Sequence, residues 1–357
     1  MKIIIMTGRF GMGHCSVAQA LKEDLEQSNQ EATVEVIDIM EHLLPSLNRA
    51  IYGAFHLMVS RCSGMYNSLN KTAEKYNSIP FKGIIVRKIG AIIDSYEPDL
   101  ILSTLPLCTK FVSAYKEETG CEIPLITYIT DICAHQEWIA KESDYYFVGS
   151  REVKDELAQK GVARGRIYVS GIPVRRAFQK RSKIRNTSGK KEVLIMGGGF
   201  GLIPSSQSVF QALNERSDIH TTVITGTNKK LFDQLSMEYK NIDVVGYTDR
   251  VDEYLQRADL LISKPGGITL FEALNCETPM FVIHPFLQQE VCNAKYMDTK
   301  QIGKVVWDKD ADVEKELFDL LENDIELKKI RQNMHHFKEI TIDNTIVKQI
   351  IASYAVA

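Results

Sequence analysis

The run Lys264-Pro265-Gly266-Gly267-Ile268-Thr269 separates the apolar stretch Ala258–Ser263 from a helical pattern reaching Leu274. Glycines in such a turn let a diphosphate approach the backbone, and the helix N-terminus favours its charge. Thr269 adds a hydroxyl donor, and Glu272 stands one turn further on, where a carboxylate accepts both hydroxyls of a ribose. A plain tight turn, with Glu272 as a first-turn partner of the helix dipole, fits the same residues. After the next apolar run, Gln288-Gln289-Glu290 puts long polar side chains where a strand ends. Gln289 and Glu290 suit the vicinal hydroxyls of a sugar, or else cap the following helix. Two glycine-rich turns lie about half a chain apart: Gly8 to Gly13 after Lys2–Met6, and Gly197-Gly198-Gly199-Phe200-Gly201 after Glu192–Met196. His14, at the mouth of the first, is a candidate base near neutral pH. Thr130-Asp131-Ile132-Cys133-Ala134-His135-Gln136-Glu137-Trp138 gathers Asp, His and Trp at another strand end. Its spacing matches no zinc pattern, so it reads as a catalytic or substrate-positioning cluster.

Such residues need strands that empty into loops. Apolar runs at 2–6, 33–37, 99–103, 123–129 and 145–148 alternate with helical patterns such as Ser16–Gln27 and Arg151–Lys160, and the rhythm restarts at 192. Further runs at 220–224, 242–245, 259–262, 279–283 and 304–307 predict a second mostly parallel sheet. The expected division is an N-terminal Rossmann-like domain over 1–171, a linker over 172–191 with eight Lys/Arg and no acid, and a C-terminal Rossmann-like domain over 192–340. A helix within 341–357 is expected to cross back to the first domain.

A chain of 357 residues, 44% hydrophobic, accommodates two cores, and its net charge of −3 gives no general attraction to nucleic acid. No apolar run approaches the roughly 18 residues of a membrane span, and the N-terminus lacks a secretory pattern, so a cytoplasmic location is expected. Seven scattered cysteines without a C-x-x-C pair predict neither a disulfide framework nor a thiolate zinc site. Between 43 and 96, seven Lys/Arg against two acids are interleaved with Leu47, Tyr52, Phe55, Leu57, Phe81 and Ile84. That mixture suits an anionic membrane surface, or a helical face packed on a core with its basic residues in water.

The chain resembles the GT-B glycosyltransferases of the MurG and monogalactosyldiacylglycerol synthase superfamily, and is most similar to the processive diacylglycerol β-glucosyltransferases. The residues that carry the resemblance are Gly11-Met12-Gly13-His14 with Val17-Ala18-x-Ala20-Leu21, Glu97-Pro98-Asp99-Leu100-Ile101 before Thr104-Leu105-Pro106, and Thr130-Asp131-x-Cys133-x-His135-x-x-Trp138. Gly171-Ile172-Pro173-Val174-Arg175, the Gly197–Gly201 loop and Lys264-Pro265-Gly266-Gly267-Ile268-Thr269-Leu270 complete the set.

The resemblance implies an α/β GT-B fold, two Rossmann-like domains facing a central cleft, and inverting transfer of a hexose from a UDP-sugar. Tyr247 and Thr248 would receive uracil and Glu272 the ribose. Gly13, Gly198, Gly199, Gly201, Lys264, Gly266, Gly267, Ile268 and Thr269 would line the diphosphate, and Gln289 with Glu290 the sugar. His14 or Asp131 would deprotonate the acceptor, with Phe10, Tyr52, Phe55, Pro106, His135 and Trp138 around it. It implies no metal and no cofactor beyond the donor, and a lipid acceptor such as diacylglycerol on the inner face of the cell membrane; a soluble or amphipathic acceptor is the alternative. Two departures stand out: Leu287-Gln288-Gln289-Glu290 replaces the usual Pro-Gly-Gln-Glu, and Phe200 with Leu202-Ile203-Pro204 brings apolar bulk to the diphosphate loop.

Overall fold

The computed structural model describes residues 1–28, 32–61, 81–179, 189–203, 207–341 and 345–354. The chain forms two compact units, Met1–Arg175 with Thr341–Ala357, and Arg176–Ile340. Each contains a six-stranded sheet.

The first unit carries β1 (Lys2–Thr7), β2 (Thr33–Asp38), β3 (Leu100–Ser103), β4 (Leu125–Tyr128), β5 (Tyr145–Val148) and β6 (Ile167–Val169), ordered β2-β1-β3-β4-β5-β6. The second carries β7 (Lys191–Met196), β8 (Ile219–Ile224), β9 (Ile242–Val245), β10 (Leu260–Ser263), β11 (Met280–Ile283) and β12 (Gly303–Val306), ordered β12-β11-β10-β7-β8-β9. Every pairing is parallel. The strands β3, β4 and β10 are buried at all positions, which is why they read as unbroken apolar runs rather than alternating ones. Sequence periodicity missed β6, whose three residues are too short to display a pattern. In the first unit, Ile4, Met6, Ile37, Ile89, Ile101 and Val112 share one apolar cluster between sheet and helices. Within 172–191, Ile172, Val174 and Phe178 are core side chains, 180–188 lie outside the described residues, and β7 begins at Lys191.

The order of strands reverses between β1 and β3 in the first sheet, and between β7 and β10 in the second. Loops leaving the carboxyl ends of strands at such a reversal diverge, opening a crevice over the sheet. Those loops are Gly8–Gly11 and Thr104–Leu105 in one unit, and Gly197–Leu202 and Lys264–Gly266 in the other.

The opposite rim is stitched by a repeated device. An aspartate immediately before a strand donates its own N–H to the neighbouring chain while its carboxylate accepts the N–H of the same neighbour. Asp99 does this with Lys2 (2.8 and 2.7 Å), Asp144 with Leu125 (2.8 and 2.8 Å) and Asp259 with Glu192 (2.7 and 3.0 Å). Each satisfies amide groups that a strand start would otherwise leave unpaired.

Candidate functional site

In the second unit the helix Gly267–Cys276 starts from Gly266 with no side-chain cap. Gly266 has φ −69° and ψ 145°, open to any residue, and a Cβ there would meet only Thr269 Oγ1 at 3.7 Å. Neither conformation nor packing requires a glycine at this point, so a close external approach is what its small size permits. Thr269 and Glu272 are 8% and 9% exposed on the same helix. Burial, then the charge of Glu272, pushes the nearby Cys276 thiol up to about 12. From the helix Gln288–Thr299, Glu290 faces the turn: its Oε1 lies 3.5 Å from Lys264 Nζ, which also sits 5.5 Å over the Phe286 ring. Gln289 is half-buried beside it, and Asn293 Nδ2 donates to the Pro265 carbonyl at 2.8 Å. Sequence reading assigned nothing to Phe286 or Asn293; the spacing of Asn293 three residues after Glu290, one turn along the same helix face, is the available signal.

The Gly197–Gly201 loop folds against the loop after β8. Thr227 donates from N and Oγ1 to the Gly199 carbonyl at 2.9 and 3.0 Å, and Asn228 Nδ2 reaches Gly201 O at 3.4 Å. A Cβ on Gly201 (φ +61°) would lie 2.0 Å from Thr225 O, and one on Gly197 would lie 2.3 Å from the Leu202 carbonyl carbon. These two glycines serve backbone packing, whereas Gly198 (φ +68°) has open space before it. Tyr247 is 63% exposed past the end of β9, and Thr248 Oγ1 accepts from Arg250 N at 3.1 Å, so both stand at the margin of the sheet. Asp-x-Asp spacings occur at Asp308-Lys309-Asp310 and Asp310-Ala311-Asp312, and both serve local structure. Asp308 Oδ1 accepts from Asp310 N at 3.0 Å, and Asp312 caps the helix Val313–Glu322.

In the first unit His14 lies in the opening turns of the helix Met12–Ser28, with Gly13 before it. Its Nδ1 is 2.8 Å from the Thr104 carbonyl and 3.0 Å from Thr130 Oγ1. A carbonyl only accepts, so Nδ1 carries the proton and Nε2 keeps its lone pair. Burial lowers the pKa of His14, against the charge of Asp131 and the bond to Thr104, and the ring is held neutral around pH 7. Trp138, 1% exposed, packs 6.3 Å from the imidazole, centroid to centroid. His135 Nε2 turns to Cys133 Sγ at 2.9 Å. Thus the segment after β4 supplies Thr130, Asp131 and Trp138 around a histidine from the start of the helix that follows β1.

Phe10, Tyr52 and Phe55 also come together: Phe10 meets Tyr52 at 5.0 Å and Phe55 at 5.2 Å, both edge to face. Tyr52 donates to Asp38, and Gly8 leaves room for it, since a Cβ there would lie 3.2 Å from the Tyr52 hydroxyl. Pro106 opens the helix Pro106–Thr119 after β3. Of the basic residues between 43 and 96, Lys82 pairs with Glu118 at 3.1 Å and Lys88 donates to Leu43 O. Lys71, Lys75 and the apolar Met65, Tyr66 and Tyr76 lie outside the described residues, as does the side chain of Arg61.

A doubled parallel α/β architecture with glycine turns at both strand reversals, an uncapped helix start over buried Thr and Glu, and a neutral histidine defines a nucleotide-sugar type of enzyme fold. The monogalactosyldiacylglycerol (MGDG) synthase family model matches residues 14–174, and the glycosyltransferase family 28 C-terminal domain matches residues 192–350. The chain therefore carries a domain of the monogalactosyldiacylglycerol synthase type followed by a glycosyltransferase family 28 C-terminal domain. It is 29% identical, over 98% of its own length and 93% of the other, to a processive diacylglycerol beta-glucosyltransferase of Bacillus cereus. Among solved structures it resembles MurG of Acinetobacter baumannii, with TM-score 0.58, 14% identity, and 96% and 99% of the two chains covered. A UDP-GlcNAc 2-epimerase of Neisseria meningitidis, bound to UDP-GlcNAc, superposes with TM-score 0.60 at 12% identity over 100% of both chains. Two reactions on one architecture leave the chemistry to be argued from side chains.

Proposed function

We propose that the protein transfers a hexose, glucose or galactose, from a UDP-sugar to the hydroxyl of a lipid such as diacylglycerol, with inversion at the anomeric carbon. The observation that carries this reading is the uncapped start of the helix Gly267–Cys276 at Gly266, with Glu272 buried one turn inside it. The amides of Gly267, Ile268 and Thr269 bind the diphosphate, Glu272 the ribose, Tyr247 and Thr248 the base, and Gln289 with Glu290 the sugar. His14 Nε2 takes the proton from the acceptor hydroxyl, and that oxygen attacks the anomeric carbon. The bond from that carbon to the diphosphate oxygen breaks in the same displacement, and UDP departs with the electron pair. Helix amides and Lys264 stabilise the charge that develops on the leaving group. The charge of Asp131 favours the imidazolium formed in the step.

A lipid acceptor is supported by the name of the Bacillus cereus relative and by the apolar surface of the first unit. Leu44, Leu47, Leu57, Phe81 and Ile84 are 39–79% exposed on or beside the helices Asn48–Arg61 and Lys82–Tyr96. Arg49 and Arg87 are exposed on the same helices. We take these helices as the face that rests on the cytoplasmic leaflet, with Phe10, Tyr52 and Phe55 beside the acyl chains. No helix among the described residues is long and apolar enough to cross a membrane. The test is a panel of UDP-sugars with diacylglycerol vesicles and with soluble alcohols, products read by mass spectrometry and anomeric configuration by NMR. A β-linked glycolipid is the expected product; a glycosylated soluble alcohol without lipid product refutes the acceptor, and no binding of UDP refutes the donor.

A further inference from the structure

The turn that opens the helix Gly267–Cys276 contains two consecutive glycines, whose dihedrals alone allow its peptide planes more than one tilt. The structure holds one of these planes at both ends. The Gly266 N–H donates to the Lys264 carbonyl at 2.9 Å. The carbonyl of the same peptide unit, that of Pro265, accepts from Asn293 Nδ2 at 2.8 Å. Because a peptide unit is planar, fixing its two polar ends fixes its orientation, and the following unit, whose Gly266 carbonyl accepts from Leu270 N at 2.9 Å, sets out from it into the helix. Asn293 is fully buried, on the helix that also carries Gln289 and Glu290. One turn earlier on that helix Glu290 approaches Lys264 at 3.5 Å, so the helix engages two consecutive residues of the turn.

We propose that Asn293 is a positioning residue for the donor: it aims the amides of the Pro265–Gly267 turn at the diphosphate and ties their placement to the helix that holds the sugar. The inference rests on the donor reading above. Losing the amide leaves the Pro265 carbonyl buried without this donor and lets the glycine turn rotate, which misdirects groups meant for phosphate and leaves uridine contacts elsewhere untouched.

The test uses the full-length protein and isothermal titration with uridine and with UDP. Asn293→Ala is expected to weaken UDP at least about tenfold while uridine changes by less than about twofold, since a merely structural loss lowers both by one factor. An isosteric second variant, Asn293→Asp, guards against misfolding. Its neutral carboxyl donates to the Pro265 carbonyl, whereas its ionised form repels it, so UDP affinity relative to the unaltered protein is expected to fall as pH rises. An unaltered UDP-to-uridine ratio in Asn293→Ala, or a pH-independent relative affinity in Asn293→Asp, overturns the proposal while UDP still binds the unaltered protein. If the unaltered protein binds no UDP, the donor reading falls and this inference with it.

Discussion

Replacing Gly266 by alanine separates a ligand-driven glycine from a fold-driven one. At φ −69° and ψ 145° alanine is unstrained, and its Cβ would meet only Thr269 Oγ1, at an ordinary 3.7 Å. Restricting the unfolded chain stabilises by about 0.4–1 kcal/mol, and the poorer N-cap preference of alanine costs roughly 0.5–1 kcal/mol, so the two nearly offset. The melting temperature should therefore move by no more than ~3 °C. Binding is another matter, because a methyl group at the helix start keeps a phosphate oxygen from an amide. One lost hydrogen bond to a charged group is about 1.5–3 kcal/mol, or roughly 10- to 150-fold in UDP affinity. Titration calorimetry and a thermal melt on the same sample supply both numbers. As a control, Gly201→Ala would push a Cβ to 2.0 Å from Thr225 O at φ +61°, and should fail by losing stability. A folded Gly266→Ala protein that binds UDP as well as the parent does would end the argument that this turn receives a diphosphate.

Four further outcomes are expected. Glu272→Gln should weaken uridine as well as UDP, because the ribose contact is common to both; equal uridine affinity in variant and parent removes that role. His14→Gln should lower turnover by about 10²–10⁴-fold with donor affinity intact. In the parent, kcat/KM should rise with pH through a pKa below the usual 6.5, since burial lowers that of His14 and only the neutral ring accepts a proton; an acid limb above 6.5 contradicts this. His220 behaves oppositely. Burial works against its charge, but bonds to Glu192 at 2.7 Å and Asp243 at 2.9 Å prevail and raise its pKa. Its stabilisation is full below pH 6.5 and is lost as pH climbs through the raised value. His220→Asn should thus destabilise at pH 5.5 and converge with the parent at pH 9, as chemical denaturation would reveal.

Much of the architecture was legible because parallel strands buried on both faces leave unbroken apolar runs, and because glycines cluster where those runs end. Boundaries such as Lys2–Thr7, Ile242–Val245 and Tyr145–Val148 fall within a residue of the expected ones. The candidate site could be named by residue type, but its geometry could not be read. That His14 would keep its lone pair on Nε2 depends on a backbone carbonyl at Thr104 and a hydroxyl at Thr130, 90 and 116 residues away. No side chain at 104 announces a carbonyl acceptor. Similarly, the glycines of 197–201 look alike in sequence, yet Gly197 and Gly201 answer to neighbouring backbone while Gly198 faces open space. Basic residues between 43 and 96 read as one field of charge, although Lys82 is engaged with Glu118 and Lys88 with the Leu43 carbonyl. Pairings of that kind are set by tertiary approach, which local pattern does not encode.

The aspartates Asp99, Asp144 and Asp259 fasten their sheets where the strands begin, whereas His14, Gly266 and Glu290 lie where strands end. A parallel sheet gives both ends the same neighbours but opposite duties, one of anchorage and, on the function proposed above, one of reaction. Directed evolution can therefore work the two margins independently: substitutions that reinforce the anchoring margin add thermal resistance without retuning turnover, and those at the reacting margin can change substrate without loosening the scaffold.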